Sequence, residues 1–312
     1  MRFALVAGVA VLLGALPAGD AKPFTDWSPA ENLGAVVNSN YVDSCAAISK
    51  NGLSLYFSSI RQNPSNMLDR DLYVTTRATV NDPWETPFPL AMLNTTVWDS
   101  CPALSLDEHR LYFTSRRSPT CGNTGLEDIW VSYRRDRSDD LGWEPPVHLG
   151  CEGDGYVNSS ARDLVPAFFE DKDGHEVMYF ASLRSGIAHH YQSVMRPDDT
   201  FGPATPVADL NGPPAVADLG ITVRRDGLEV FFLSNRSTGA PLSSMEFWTS
   251  TRDSLDAPWS PPVPVPSLGS PALAQGRIAL SFDGRELYFT SGRGGNWDLW
   301  VARRDRVRGP QK

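Results

Sequence analysis

The sequence predicts an all-β chain: five four-stranded units closed into a ring. Three observations carry that prediction. First, one phrase occurs five times. DSCAAISKNGLSLYFSSIR runs from Asp43 to Arg61 and returns as DSCPALSLDEHRLYFTSRR from Asp99 to Arg117. It returns again as DLVPAFFEDKDGHEVMYFASLR (Asp163 to Arg184), DLGITVRRDGLEVFFLSNR (Asp218 to Arg236) and QGRIALSFDGRELYFTSGR (Gln275 to Arg293). A period of roughly 55 to 65 residues marks an array of like units rather than one irregular fold. Second, each unit holds four short apolar runs separated by turn residues, and nothing sustains a helical period. Third, the last unit stops one strand short, at Arg304, while an unmatched strand, WSPAENLG from Trp27, precedes the first unit.

Each element of the unit has its own warrant. The first two strands are joined at Asn51-Gly52, Asp226-Gly227 and Asp283-Gly284, pairs that tolerate the positive φ of a tight hairpin. The third strand reads DLYVTTR to Arg77, DIWVSYR to Arg134, EFWTSTR to Arg252 and DLWVARR to Arg304. In the third unit it degrades to HYQSVMR, ending at Arg196, with His190 in the place of the acid. The fourth strand opens on an aromatic residue: Trp84, Trp143, Phe201 or Trp259. Its prolines suit an outer edge strand that need not donate every ladder bond. Four-stranded units around an axis make a β-propeller. If the segment from Trp27 completes the fifth blade against the strand around Leu299–Ala302, no strand edge is left open.

The inner-strand Asp, the Pro-Ala-x-Ser and Asp-Gly hairpin, the LYF-T-S-x-R strand and the Asp-Leu/Ile-Trp-Val strand resemble the WD40-like repeats of the TolB type. The resemblance covers nearly all of residues 22–312. It implies the propeller fold, and it implies an interaction module, an accessory domain or part of a lyase without choosing among them. Gln275 departs from its Asp, and His190 from its third-strand acid.

Composition sets the setting. Residues 1–21 read as a secretory signal peptide, with Gly19-Asp20-Ala21 at the cleavage site and residues 22–312 as the mature propeller. The apolar stretch is too short to span a membrane. A secreted or periplasmic monomer is expected. The formal net charge of −9 argues against nucleic acid and anionic membranes as partners. The 4 cysteines fit an oxidising compartment. Cys121 and Cys151 fall in connections on one face and are expected to bridge. Cys45 and Cys101 hold the same place on neighbouring inner strands, so their side chains are expected to point the same way round the ring and stay apart.

The chain carries no nucleophile elbow, HExxH, CxxC, phosphate-binding glycine loop or EF-hand loop, so no cofactor and no metal is expected. His189-His190 reads as a polar strand start. What recurs is charge. Asp43, Asp99, Asp163 and Asp218 begin inner strands, and Arg61, Arg117, Arg184, Arg236 and Arg293 end second strands. Chain direction gathers both sets at one mouth of the central channel, near Asp71, Asp128, Glu246 and Asp298. A planar guanidinium suits bidentate pairing, so the ring is expected to fix blade register. Blade five breaks the pattern: Gln275 leaves Arg293 short of a carboxylate beside Gly294-Gly295-Asn296-Trp297. Tyr41 and Trp98 stand just before their acids. Arginine with aromatics suits an anionic or sugar-like ligand. These residues, with the Asp/Arg ring, form the expected ligand-binding set. The function expected is non-catalytic binding of a protein or carbohydrate ligand at this mouth. The alternative is a glycoside hydrolase or lyase at the same place, which needs two carboxylates roughly 5 or 6.5–9.5 Å apart.

Overall fold

The computed structural model describes residues 24–117, 121–122, 125–151, 157–237, 239, 245–269 and 277–307. The signal-peptide segment and Gln275 lie outside them. Strand β1 (Glu31–Asn32) comes first. Blade one is β2 (Asp43–Ile48), β3 (Ser54–Ser59), β4 (Asp71–Thr76) and β5 (Phe88–Pro89). Blade two is β6 (Asp99–Leu104), β7 (Arg110–Ser115), β8 (Asp128–Tyr133) and β9 (Val147–His148). Blade three is β10 (Asp163–Glu170), β11 (Glu176–Ser182), β12 (His189–Val194) and β13 (Thr205–Pro206). Blade four is β14 (Asp218–Val223), β15 (Glu229–Ser234), β16 (Glu246–Thr251) and β17 (Val263–Pro264). Blade five holds β18 (Ala279–Leu280), β19 (Glu286–Ser291) and β20 (Asp298–Arg303), and β1 is its outer strand. Glu31 stands opposite Val301 and Asn32 opposite Trp300. The ring closes as the sequence predicts.

The repeated Tyr-Phe pair explains why the blades stack. Successive side chains point to opposite sheet faces, so the tyrosine packs into one gap between blades and the phenylalanine into the other. Tyr56 shares a core with Phe113, Tyr112 with Phe180, Tyr179 with Phe232 and Phe231 with Phe289. Tyr288 with Phe57 completes the circuit. All ten rings are buried, and truncating one costs about 3–5 kcal/mol.

A second repeated device ties the hairpin to the outer strand. Arg77, Arg134, Arg252 and Arg304 stack on Trp84, Trp143, Trp259 and Trp27 at 4.3, 4.5, 4.4 and 4.4 Å. Their Nε groups donate to the hairpin carbonyls of Gly52, Glu108, Gly227 and Gly284. Arg304 reaching Trp27 joins the two ends of the chain. Blade three lacks this device, and the register shows why. His189, not His190, stands opposite Ser182, as Asp71 stands opposite Ser59, and Val194 stands opposite Val177, as Thr76 stands opposite Ser54. Met195 therefore takes the place of Arg77, its N–H on the Glu176 carbonyl as that of Arg77 is on Leu53, and the arginine comes one residue later. Aligning blade three on its arginine places the acid's substitute one residue too late.

Four inner strands carry a bulge two residues after the Asp, where Cys45, Cys101, Val165 and Gly220 have φ of 58°, 53°, 52° and 59°. A bulge re-aims a side chain and unpairs its backbone. The freed N–H of Cys45 donates to Thr290 Oγ1 of the previous blade, and that of Val165 to Thr114 Oγ1. The bulge corrects one expectation: Cys45 and Cys101 are disulfide-bonded, with Cα atoms 4.6 Å apart. Equivalent positions would point alike on flat parallel strands. Here the strands converge on the axis, and the left-handed residues turn both thiols into the channel. Cys121 and Cys151 are bridged as expected, with Cα atoms 5.0 Å apart. No helix among the described residues is long and apolar enough to cross a membrane.

Candidate functional site

The Asp/Arg ring is internally satisfied. Asp43 accepts from Arg61 Nη2 at 2.6 Å and from Ser39 N and Oγ at 2.5 and 2.8 Å. Asp99 takes Arg117 at 2.6 Å and Thr95 N and Oγ1 at 2.7 and 2.6 Å. Asp163 takes Arg184 at 2.8 Å and Asp218 takes Arg236 at 2.6 Å. All four carboxylates have no exposure. Each arginine also donates to a carbonyl at the entry of its own blade: Val37, Leu93, Val157 or Leu210. The ring thus locks strand one, strand two and the entering loop of a blade together. Arg293 keeps the same carbonyl bond, to Leu268 at 2.6 Å, and lies over Phe289 and Trp300, with no carboxylate partner among the described residues. Burial lowers its pKa.

The open space at this mouth is a cavity of about 290 Å³. Its floor is the Cys45–Cys101 disulfide with Val165, and its walls include Arg70, Trp98, Glu127 and Arg162. Met67, Leu219, Met245 and Trp297 also line it. Tyr41 is exposed outside this lining, its carbonyl held by Asn296 at 2.5 Å.

A simple rule selects the lining. The repeated acid points into its blade, so the residue just before it, one step along the pleat, faces the channel. Val42, Trp98 and Arg162 precede Asp43, Asp99 and Asp163. Arg70, Glu127, Met245 and Trp297 precede Asp71, Asp128, Glu246 and Asp298. Of these, Trp98 and Trp297 belong to the expected set. Arg70, Glu127 and Arg162 are outside the expected set because the positions facing the channel differ from blade to blade and leave no repeated signal.

Trp98 is the centre of the wall. The Arg70 guanidinium lies 4.1 Å from its ring centroid and that of Arg116 5.1 Å. Glu127 is buried and clamped: Arg162 donates from Nε at 2.5 Å and Nη2 at 2.7 Å, and Arg116 donates at 2.7 Å. Burial pushes its carboxyl up, but these two arginines outweigh burial and hold it below the ordinary glutamate value. Arg70 has no such partner among the described residues. Its Nη1 donates to Ser44 Oγ at 2.7 Å and its buried Nε finds no acceptor. Burial, opposed by Asp43, lowers its pKa to about 10, so it stays cationic at neutral pH.

The same geometry bears on catalysis. Glu127 is the one carboxylate among the described lining residues, and its oxygens are occupied. A displacement that needs an acid and a base on opposite sides of a glycosidic bond finds no second carboxylate there. His189 and His190 are elsewhere. His190 is fully buried against Phe232, and burial lowers its pKa to about 4, so it is neutral.

No protein-family model and no curated protein matches this chain. Solved structures do share its fold. The catalytic domain of the GH62 α-L-arabinofuranosidase of Coprinopsis cinerea aligns at 13% identity with TM-score 0.57, over 90% of this chain and 98% of that one. The endo-arabinase of Bacteroides thetaiotaomicron aligns at 13% identity with TM-score 0.56, over 92% and 100%. The putative TolB of Agrobacterium tumefaciens aligns at 15% identity with TM-score 0.48, over 86% and 78%. At these identities the likeness to the first two is one of fold alone.

Proposed function

We propose that this chain is an exported, monomeric propeller that binds an acidic carbohydrate at the mouth where its inner strands begin. The observation that carries the reading is Trp98, half-buried in the wall of a concave cavity with the Arg70 and Arg116 guanidiniums against its ring. An indole face takes the C–H face of a sugar ring, and an arginine lacking a carboxylate takes its acidic group. Arg70, Arg116 and Arg162 against Glu127 leave two net positive charges at the mouth of a chain whose overall charge is −9. A volume of about 290 Å³ lies at the lower end of small-molecule pockets. It suits a terminal sugar residue better than a protein surface. Arg293 is not among the residues that line this cavity. Two disulfides suit an oxidising compartment.

Titration calorimetry with oligouronides and matched neutral oligosaccharides tests the reading. Saturable binding of the acidic series is expected, weakened at least about tenfold by Trp98→Ala and by Arg70→Met. Equal affinity for the neutral series, or binding indifferent to both substitutions, overturns it. A second reading, a polysaccharide-active enzyme, is favoured by the fold shared with an α-L-arabinofuranosidase and an endo-arabinase. It predicts new reducing ends from the same oligosaccharides, lost in Glu127→Gln. The clamped state of Glu127 supports binding without turnover.

A further inference from the structure

The opposite end of the channel carries a cation that the mouth does not use. Arg277 stands two residues after the blade-five position where Asp43 and Asp99 stand in theirs, the place of Cys45 and Cys101. Its side chain enters the channel below the disulfide and is more than nine-tenths buried, with 6% exposure. It donates to the carbonyl of Pro102, and its buried Nε has no acceptor. No carboxylate among the described residues pairs with it. Burial lowers its pKa to about 9, which leaves it protonated at neutral pH.

An uncompensated buried charge is strongly unfavourable, and proteins resolve it by pairing, by deprotonation or by binding a counter-ion. The first two are closed to Arg277. The third has a place. Arg277 lines a cavity of about 100 Å³ that opens at the face of the hairpin turns, with Lys50 and Arg225 among its other walls. The Lys50 ammonium and the Arg225 guanidinium lie 4.7 and 4.0 Å from the centroid of the Phe282 ring, which holds both at this rim. The one carboxylate of the lining, Glu108, already accepts the backbone N–H of Lys50 at 2.7 Å. Three cations against one acid leave two net positive charges around a space sized for a small anion.

We propose that the hairpin end of the channel is a second binding site, distinct from the mouth, for a small oxyanion such as inorganic phosphate or sulfate, with Arg277 as its buried anchor and Lys50 and Arg225 as its rim. The disulfide separates the two sites, so each should work without the other.

Titration of the full chain with inorganic phosphate, then with sulfate, tests this, with chloride at matched ionic strength as control. One saturable site is expected for an oxyanion in the wild type and in Arg70→Met. It should be lost in Arg277→Met and weakened about tenfold in Arg225→Met. In anion-free buffer Arg277→Met should melt no lower than the wild type, because an apolar side chain of similar length removes an unpaired buried charge. Should Arg277→Met fail to fold, the weakening in Arg225→Met and in Lys50→Met carries the test. No saturable oxyanion binding, binding equal to that of chloride, or binding unchanged in Arg277→Met or in both rim variants overturns the proposal. A site lost in Arg70→Met instead would place the anion at the mouth.

Discussion

Arg117 and Arg277 are both drawn into the interior of the ring, and the fold treats them in opposite ways. Arg117 occurs in every blade and meets a carboxylate, a serine hydroxyl and a carbonyl. Arg277 occurs once and meets a single carbonyl. Arg70, also singular, meets a serine hydroxyl and an indole face. Charge that repeats with the blade is consumed in holding the blade. Charge that breaks the repeat is left for something outside the chain.

The largest effect should come from breaking a repeated pair. Arg117→Ala leaves the Asp99 carboxylate buried without its cation, which costs about 3–5 kcal/mol for a deeply buried pair. Urea unfolding should show the loss at unchanged slope, and an unchanged midpoint would remove the ring from the structural account. Next is the disulfide, the one cross-link between two repeats. Closing the 56-residue separation of Cys45 and Cys101 stabilises by about 4 kcal/mol on a chain-entropy estimate, with about 2–4 kcal/mol typical. The double variant Cys45→Ala/Cys101→Ala should lose that much in the same assay. An effect below about 1 kcal/mol would mean that the blade cores hold the channel walls unaided.

A smaller effect is expected where the ring lacks its acid. Arg293→Ala removes bonds to Ser291 Oγ and the Leu268 carbonyl and two aromatic contacts but strands no carboxylate among the described residues. About 1 kcal/mol is expected, the ordinary value of a hydrogen bond with a partly exposed cation–aromatic contact. A loss equal to that of Arg117→Ala would show that the carbonyl bond, rather than the ion pair, fixes blade register.

The contrast also explains what could be read from the chain. Blade count, strand order and closure by Trp27 were legible because they rest on period and alternation. The Asp/Arg pairs were legible because each appears at a fixed spacing. The mouth was half legible. Trp98 stood out as an aromatic next to an acid, yet Arg70 and Arg162 lie just as close to Asp71 and Asp163 and belong to no repeated pattern that marks them. The Cys45–Cys101 bond was misjudged because strand alternation describes a regular pleat, while the bulge that turns Cys45 and Cys101 inward is an irregularity with no residue signature of its own. Only Gly220 at the same place hints at a left-handed backbone. Blade three slipped by one residue at His189 because Met195 holds the place of the strand-ending arginine and Arg196 follows it, a shift that no turn signal marks.

The comparison has an acidic counterpart, and it supplies the finest test. Asp71 heads the third strand of blade one and is mostly buried, yet unlike Asp43 it has no arginine partner among the described residues. Burial first, then the charges of Asp69 and Asp99, raise its pKa to about 6. An unfolded aspartate titrates near about 3.9. The native state therefore holds this proton more tightly than the unfolded state, so the contribution of Asp71 to stability is best below about pH 4 and falls away as pH rises towards 6. A shift of this size corresponds to roughly 3 kcal/mol if unscreened, and solvent access to the carboxyl reduces it to about 1 kcal/mol. Asp71→Asn, which keeps the shape and removes the charge, should stabilise the chain near neutral pH by about that amount. The gain should shrink between about pH 6 and 4 and vanish below it. Paired melting curves across that range read the difference directly. A gain that stays constant with pH would mean that folding leaves the pKa of Asp71 where the unfolded chain has it, and the line between repeated pairs and unpaired breaks would have to be redrawn.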